Sequence, residues 1–218
     1  MFELDYFLDD SGFSHGDLFN DCAYFWDVVA KLPLYLPSVL KPEIRGTLHP
    51  QTEVTGDVFI GEGTVVEIGA RICGPAWIGK NCRIRAGAYL DGNIIMADEV
   101  DFGHCSNAYK CVIMTKSLVF PMSFLGASVI GNDCLISAGC TFNGLNLTRE
   151  EIVVHTPQQD YMTKLRNLGA VVGHHTRIGG SVATSPGTLI GPFSMIHANA
   201  HLEGFYAAKS VVRGERNR

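Results

Sequence analysis

The amino-acid sequence predicts an all-β fold in which short parallel strands coil into a β-helix, preceded by a short N-terminal helical segment. The first observation is a period of six, because a large apolar residue stands at Leu48, Val54, Ile60, Val66, Ile72, Ile78, Ile84, Leu90, Met96 and Phe102. If about one residue in three is large and apolar, such a run has odds on the order of 10⁻⁵ by chance. The second observation is a small residue four positions after most anchors, at Thr64, Ala70, Ala76, Cys82 and Ala88.

The period of six decides between kinds of secondary structure. An amphipathic helix has a period of about 3.6 and a half-buried strand a period of two, so neither places one large anchor every sixth residue. Three six-residue steps make a triangular coil of about 18 residues, and stacked coils bury the anchors in one continuous core. The pattern resumes at Ile130, Ile136 and Phe142, and again from Val172 to Leu202.

The remaining segments suggest two units. Residues 1–45 are expected to form a helical segment over 14–31, capped by Ser14 or Asp17, and then an extended connector imposed by Pro33, Pro37 and Pro42. The helix is expected to cover one end of the β-helix. Residues 46–218 are expected to form the β-helix itself, with a loop excursion at about 143–169 where the six-residue pattern lapses.

Composition excludes several classes of function. The 218 residues carry 17 Lys and Arg against 22 Asp and Glu, without a dense basic stripe, so nucleic-acid binding is not expected. No apolar run is long enough to span a membrane. The acidic N-terminus is unlike a signal peptide, and the seven scattered cysteines include no Cys-x-x-Cys pair. We therefore expect a cytoplasmic chain with reduced thiols.

Four segments carry a resemblance to a known family: Lys110-Cys-Val-Ile-Met, the run from Ser123 to Asn132, Ser137-Ala138-Gly139, and Leu168-Gly-Ala-Val-Val-Gly173. Between residue 100 and about 195 the chain resembles the acetyltransferase half of bifunctional sugar-1-phosphate nucleotidylyltransferase/acetyltransferases. These enzymes are hexapeptide-repeat acyltransferases with a left-handed parallel β-helix, an exception to the right-handed crossover rule. The nucleotidylyltransferase half has no counterpart in this sequence.

The resemblance implies a homotrimer that binds acetyl-CoA between adjacent β-helices and transfers the acetyl group to the amine of an aminosugar phosphate. It implies no metal ion. The candidate acceptor-binding residues are Tyr109, Lys110, Phe124, Asn143, Asn146, Lys164 and Arg166, of which Lys110, Asn143 and Arg166 each stand one residue beside a position that the family uses. Those that it assigns to acetyl-CoA are Ala138, Gly139, Gly173 and Ser181.

The match is uneven at the catalytic positions. The family's catalytic His stands three residues before the Tyr of its Tyr-Leu-Gly motif, and this chain has Pro121 and Phe124 at those two places. If residues 18 apart stack in neighbouring coils, Gly103 lies beside Pro121 and His104 beside Met122. The His104 imidazole would then point into the cleft that the missing His would occupy, so we predict that His104 is the general base.

Two other kinds of function stay open at this point. The chain could be a catalytically degenerate trimer with a binding or regulatory role beside a separate nucleotidylyltransferase, an alternative that Pro121 and Phe124 favour. It could also be a metal hydrolase or lyase, because some left-handed β-helices bind zinc through three His. The spacing of His174, His175, His197 and His201 does not favour a three-His site.

Overall fold

The structure, a computed structural model, describes residues 4–8 and 13–214. It confirms the predicted all-β class: the chain winds through three parallel sheets in turn and forms a left-handed parallel β-helix. Each coil contributes one strand to each sheet, so the three sheets form the sides of a triangular prism.

We name the three sides sheet A, sheet B and sheet C. Sheet A contains β1 (Glu43–Ile44), β4 (Val58–Ile60), β7 (Ala76–Ile78), β10 (Ile94–Met96), β13 (Val112–Ile113), β16 (Val129–Ile130), β21 (Ala170–Val172), β24 (Thr188–Ile190) and β27 (Phe205–Tyr206). Sheet B contains β2 (Thr47–Leu48), β5 (Val65–Val66), β8 (Arg83–Ile84), β11 (Asp101–Phe102), β14 (Leu118–Val119), β17 (Leu135–Ile136), β22 (Arg177–Ile178), β25 (Met195–Ile196) and β28 (Val211–Val212). Sheet C contains β3 (Glu53–Thr55), β6 (Arg71–Cys73), β9 (Tyr89–Asp91), β12 (Asn107–Tyr109), β15 (Phe124–Gly126), β18 (Thr141–Phe142), β23 (Ala183–Thr184) and β26 (His201–Leu202).

The predicted anchors fill the interior of the prism. Every anchor from Ile60 to Phe102 is at most 1% exposed, and Leu48 and Val54 pack against the same core from its first coil. The resumed anchors, such as Ile136 and Leu202, are buried in the same cluster. The period of six therefore marks, in each strand, the residue whose side chain points into the core.

The length of a coil changes midway, which corrects one expectation. Ile84 pairs with Phe102, eighteen residues later, but Phe102 pairs with Val119, only seventeen residues later. Val119 is therefore the buried residue of β14, whereas Phe120 points outward and is 43% exposed. Because strand neighbours alternate between faces, a one-residue shift exchanges the inner and outer residues.

The predicted helix over 14–31 is wrong, because Leu18 and Phe19 lie on one 3₁₀ turn, Gly16–Phe19, and Phe25 lies on another, Phe25–Asp27, so that the α-helix in this range begins only at Val28. The α-helices are α1 (Leu4–Phe7) and α2 (Val28–Val39), and α2 runs through Pro33 and Pro37 instead of ending before them. Ser14 and Asp17 cap no helix, since α2 begins after Asp27.

Burial explains how α2 tolerates two prolines. Each proline removes one backbone hydrogen bond from the helix. Val28, Val29, Leu32 and Leu36 nevertheless form one apolar stripe with no exposed surface. Packing of this stripe outweighs the local propensity of the sequence. None of the helices in the described part of the chain is long and apolar enough to cross a membrane.

The N-terminal segment covers a side of the prism and not its end, which corrects the expected placement. It packs on the outer face of sheet A, where residues such as Ile95, Val112, Val129 and Leu189 point away from the interior and are still fully buried. Strands of sheet A are therefore apolar on both faces, as in Ile94-Ile95-Met96, whereas strands of sheets B and C are mostly apolar on one.

The excursion at 143–169 leaves the prism between β18 and β21. It contains an antiparallel pair, β19 (Val153–His155) and β20 (Asp160–Met162). The Tyr161 ring lies 5.3 Å from that of Tyr24 and 5.9 Å from that of Trp26, measured between centroids. The excursion thus packs against the N-terminal segment.

Candidate active site

Turns of successive coils stack along the edge where sheet B passes into sheet C, which we call the B/C edge. Met122 N–H donates to the carbonyl of His104 (2.9 Å), Gly139 N–H to that of Pro121 (3.0 Å), and Ser181 N–H to that of Ala138 (2.9 Å). The structure therefore brings together the predicted base and three of the four positions assigned to acetyl-CoA, in one column.

The seventeen-residue coil changes the neighbour of His104. We expected Gly103 beside Pro121 and His104 beside Met122, but the pairing of Phe102 with Val119 places His104 level with Pro121. The reason is that the six-residue count across Phe102 is one residue too long. The His104 imidazole is exposed, and its Nε2 lies 3.2 Å from Sγ of Cys105. The His104 imidazole therefore lies in the coil before Pro121, directly beside the position where the family has its catalytic His.

Gly173 lies apart from the other three predicted acetyl-CoA positions. It is in a turn where sheet A passes into sheet B, next to the turn of Pro192 in the following coil. A Cβ at Gly173 would approach Pro192 N to 2.5 Å, so close packing of two coils accounts for this glycine.

Two predicted acceptor residues meet on the outer face of sheet C. The ring centroids of Tyr109 and Phe124 are 5.9 Å apart, and Tyr109 Oη donates to Oδ1 of Asn167 in the excursion (3.4 Å). Burial, and secondarily the neighbouring Cys111, raises the pKa of the Tyr109 phenol, so this group is a hydrogen-bond donor at neutral pH. Asn143, one coil beyond Phe124, donates from Nδ2 to the carbonyl of Thr184 (3.4 Å).

The predicted cations do not form one cluster with these residues. Lys110 is half-buried at the edge where sheet C passes into sheet A, the C/A edge, and burial lowers the pKa of its ammonium group. Lys164 and Arg166 are exposed on the excursion. Asn146 uses its Nδ2 on the carbonyl of Glu150 (3.1 Å), within the same loop.

A cavity of about 600 Å³ lies at the C/A edge, between the excursion and the last coils. It contains the predicted Asn143 and Asn146, together with His155, Ser185, His201 and Glu203, which the sequence reasoning did not assign to any site. Their separation along the chain, from 143 to 203, explains the omission. The only signal was the lapse of the six-residue pattern after Phe142.

The cysteines are structural where they face the core. Burial raises the pKa of the Cys82 thiol to about 11 and those of Cys111 and Cys134 to about 12, so these groups stay protonated. All seven cysteines are free. Within residues 4–8 and 13–214, no three His, Cys, Asp or Glu side chains are grouped so that they could hold a metal ion.

Comparisons with known proteins agree with this architecture. A family model described as bacterial transferase hexapeptide (six repeats) matches residues 57–92. The chain is 30% identical over 194 residues to the bifunctional protein GlmU of Methanococcus vannielii, a match that covers 88% of this chain and 46% of that protein. It is 28% identical over 175 residues to a bifunctional sugar-1-phosphate nucleotidylyltransferase/acetyltransferase of Sulfurisphaera tokodaii, covering 80% and 44%. The chain thus spans about half the length of the curated relatives that it matches.

A solved structure supports the fold alone. The crystal structure of a UDP-N-acetylglucosamine acyltransferase superposes with a TM-score of 0.52 at 18% identity, over 80% of this chain and 71% of that one. Together with the sequence matches, this confirms the resemblance to the hexapeptide-repeat acyltransferases and to the acetyltransferase half of the bifunctional enzymes.

Proposed function

We propose that the chain is an acyl-CoA-dependent acyltransferase that uses acetyl-CoA and acts on the amine of an aminosugar phosphate or nucleotide sugar. The observation that carries the proposal is the position of His104, level with Pro121 on the edge that also holds Ala138, Gly139 and Ser181. A glucosamine-1-phosphate N-acetyltransferase-like reaction, as in UDP-N-acetylglucosamine biosynthesis, fits the names of the relatives.

Acyl transfer requires few functional groups from the protein. The acceptor amine attacks the thioester carbonyl, a C–N bond forms, the C–S bond breaks, and CoA leaves as its thiol. His104 Nε2 would accept the proton that the amine loses, as a general base, and would then give it to the CoA sulfur, so that the thiol leaves. The stacked turns of the B/C edge, which include Gly139 and Ser181, would lie along the acyl donor.

The acceptor would contact the outer face of sheet C. Tyr109 and Phe124 offer an aromatic surface, and Asn143 and Asn146 offer amides. Lys110, Lys164 and Arg166 would attract the phosphate from the excursion side. These three cations form no salt bridge with any residue in the described part of the chain, so their charge stays available.

A homotrimer would complete the site, because apolar side chains next to the B/C edge lack a cover. Phe120 is 43% and Met122 70% exposed, and both flank Pro121. Phe193 and Met195, where sheet A passes into sheet B, are about half exposed as well. Phe205 and Tyr206 are not part of this surface, because they are partly buried and pack against the N-terminal segment and the core respectively.

The reaction would take place in the cytoplasm. Seven unpaired cysteines, of which four are buried, are typical of a chain that works in a reducing compartment.

Calorimetric titration of the purified chain with acetyl-CoA tests the proposal. We expect one site per chain and acetylation of an aminosugar phosphate. Replacement of the base, His104→Ala, should lower turnover by about 100-fold or more. The matched control is His49→Ala, which removes an exposed imidazole from the first coil and should not change turnover. Unchanged turnover in His104→Ala would remove the role of His104, and absence of acetyl-CoA binding would remove the donor.

A second candidate function follows from Pro121 and Phe124. These residues replace the His and Tyr that the resemblance leads one to expect, which favours a catalytically degenerate trimer that binds or regulates a separate sugar-1-phosphate nucleotidylyltransferase. Binding of acetyl-CoA without turnover on any aminosugar phosphate would support this alternative.

A further inference from the structure

A serine and a histidine meet in the cavity at the C/A edge, on a different edge of the prism from His104. Oγ of Ser185 lies 3.1 Å from Nε2 of His201, and both residues line the cavity. A hydroxyl group that donates to a neutral imidazole is the arrangement of a nucleophile and its general base. The cavity volume of about 600 Å³ lies within the usual range of small-molecule sites.

The register of the last two strands of sheet C brings the two groups together. β23 pairs with β26 so that Ala183 lies beside His201. Thr184 and Leu202 are buried in the interior of the prism, so the residues on either side of them point outward. Because Ala183 carries only a methyl group, the imidazole of His201 has room to reach Ser185, two residues further along β23.

The backbone of Ser185 is held from both sides. Its N–H donates to the carbonyl of Leu202 (2.8 Å), and its carbonyl accepts from Oγ1 of Thr188 (2.7 Å). The following residue, Pro186, has a fixed φ. The hydroxyl group therefore stands on a rigid backbone, as a positioned nucleophile requires.

The excursion covers the pair. Gly187 has a φ of 77°, and a Cβ there would approach Cγ2 of Ile152 to 2.8 Å, so the excursion sits directly on the coil that carries Ser185. Ile152 and Val154 are at most 2% exposed and anchor the excursion. The pair thus faces an enclosed space and not an open surface.

Apolar side chains line the cavity beside the pair. Leu145, Val153 and Pro186 supply hydrocarbon surface from the excursion and from the turn after Ser185. Such a surface suits the acyl part of an ester, because its contact with hydrocarbon removes apolar area from water.

The charge of the lining disfavours anions. Glu151 and Glu203 contribute two carboxylates, and none of the lining residues that the structure describes is Lys or Arg. Acetyl-CoA, with its phosphate groups, would be repelled at close range. An acyl compound that reaches Ser185 should therefore carry no negative charge.

We propose that Ser185 and His201 form a hydrolytic site for carboxylic esters without negative charge, with Ser185 as nucleophile and His201 as general base. This activity goes beyond the proposed acyl transfer, because water is the acceptor and neither His104 nor acetyl-CoA takes part.

The reaction has two steps. Oγ of Ser185 attacks the ester carbonyl while Nε2 of His201 accepts the hydroxyl proton; the C–O bond to the alcohol breaks, and the alcohol leaves with that proton. Water then attacks the acyl group on Ser185, and His201 accepts a proton from this water. The bond to Oγ breaks, Oγ takes the proton back from His201, and the carboxylic acid leaves.

Covalent labelling of the full chain tests the nucleophile. Diisopropyl fluorophosphate, which is uncharged, should lose fluoride and leave one phosphoryl group on Ser185, located by mass spectrometry of the tryptic peptides. His201→Ala should lower the labelling rate by about 100-fold. The matched control is His197→Ala, which removes an exposed imidazole from a different edge of the same coil and should label like the wild type. Absence of label from Ser185 overturns the proposal.

Hydrolysis of phenyl acetate tests the activity. Ser185→Ala and His201→Ala should each lower kcat/KM by about 100-fold, whereas His197→Ala should not change it. Circular dichroism and thermal unfolding show that each variant is folded. Hydrolysis by folded Ser185→Ala at the rate of the wild type overturns the proposal.

A comparison of two esters tests the role of charge. 4-Acetoxybenzoate differs from phenyl acetate by one carboxylate group. Relative to its rate in buffer alone, it should be hydrolysed about tenfold more slowly, and Glu203→Gln should narrow this difference. Faster hydrolysis of the anionic ester would contradict the assigned substrate class. No experiment here contains acetyl-CoA or an aminosugar, so their failure leaves the acyltransferase proposal intact, and failure of the acetyl-CoA titration leaves this one intact.

Discussion

The first coils of the β-helix, up to Phe102, and the coils that follow differ in regularity. From β2 to β9 the partner in the following coil lies eighteen residues away, as in Ile60 with Ile78 and Ile84 with Phe102. In the next coils the interval is seventeen, as in Phe102 with Val119 and Leu125 with Phe142. Then the excursion intervenes, so that Ile136 pairs with Ile178.

Candidate site residues lie on the seventeen-residue coils. His104, Tyr109 and Phe124 are all beyond Phe102, whereas the coils before it carry salt bridges on sheet B, such as Arg85 with Asp101 at 2.5 Å. A strict repeat gives every coil the same backbone outline, whereas the shortened coils and the excursion change that outline locally. The comparison teaches that the candidate site residues lie where the repeat changes, next to a regular scaffold.

The largest effect should come from a charge placed at an inward position. Ile84→Asp and Val119→Asp each bury a carboxylate without a partner, at a cost of about 4–5 kcal/mol or more, and should prevent folding. The matched variant is Phe120→Asp. Counting in sixes from Phe102 predicts that the side chain of residue 120 points inward, whereas in the structure it points outward. Circular dichroism should show folded Phe120→Asp, and if Phe120→Asp unfolds while Val119→Asp folds, the seventeen-residue coil is wrong.

A smaller effect should come from the cover on sheet A. Trp26 is fully buried and contacts both Tyr24 and Tyr161. Trp26→Ala should lower the free energy of unfolding by about 3–5 kcal/mol through the cavity it leaves. Leu34 of α2 is 82% exposed, so Leu34→Ala should change the free energy of unfolding by less than about 0.5 kcal/mol. Urea unfolding measures both variants. Equal effects of the two variants would contradict the docking of the N-terminal segment.

The smallest effect should be a dependence of stability on pH. Burial lowers the pKa of His15, whose Nδ1 lies 3.0 Å from Oη of Tyr35 and whose ring contacts Trp77. Below the ordinary value of 6.5 the unfolded chain binds a proton that the folded chain resists. The contribution of neutral His15 to stability is therefore fully present above pH 6.5, and it is lost as the pH falls through the lowered folded-state pKa.

His15→Phe should reduce this dependence, because the phenyl ring does not titrate. Thermal unfolding at several pH values between about 7 and 5 measures the pH dependence of stability in the wild type and in His15→Phe. A wild-type chain with the same pH profile as His15→Phe would show that His15 is not the group responsible.

Much of the fold was predictable from individual residues. The anchors from Leu48 to Phe102 predicted the coil, and Cys82, one of the small residues that follow an anchor by four positions, is buried in the same core. The backbone over residues 14–27 was not predictable. Its apolar residues have helical spacing but are buried from two 3₁₀ turns, as at Phe19 and Trp26. The spacing of apolar residues indicates which side chains are buried, but it does not determine the backbone conformation of the segment that carries them.

The arrangement of the candidate site was predictable only in part. His104 was selected by a count that was one residue off, and in the structure its register partner is Pro121 instead of Met122. Ser185, His201 and His155 could not be grouped from the sequence, because the excursion that brings them together has no repeat from which positions can be counted.

The sequence by itself determined the coil and the identity of its core, since burial every sixth residue is a local and repeated requirement. Only the tertiary structure decided how the N-terminal segment covers sheet A, where a coil shortens to seventeen residues, and how the excursion closes a cavity on Ser185 and His201. These features depend on contacts between residues far apart in the chain, which no local period records.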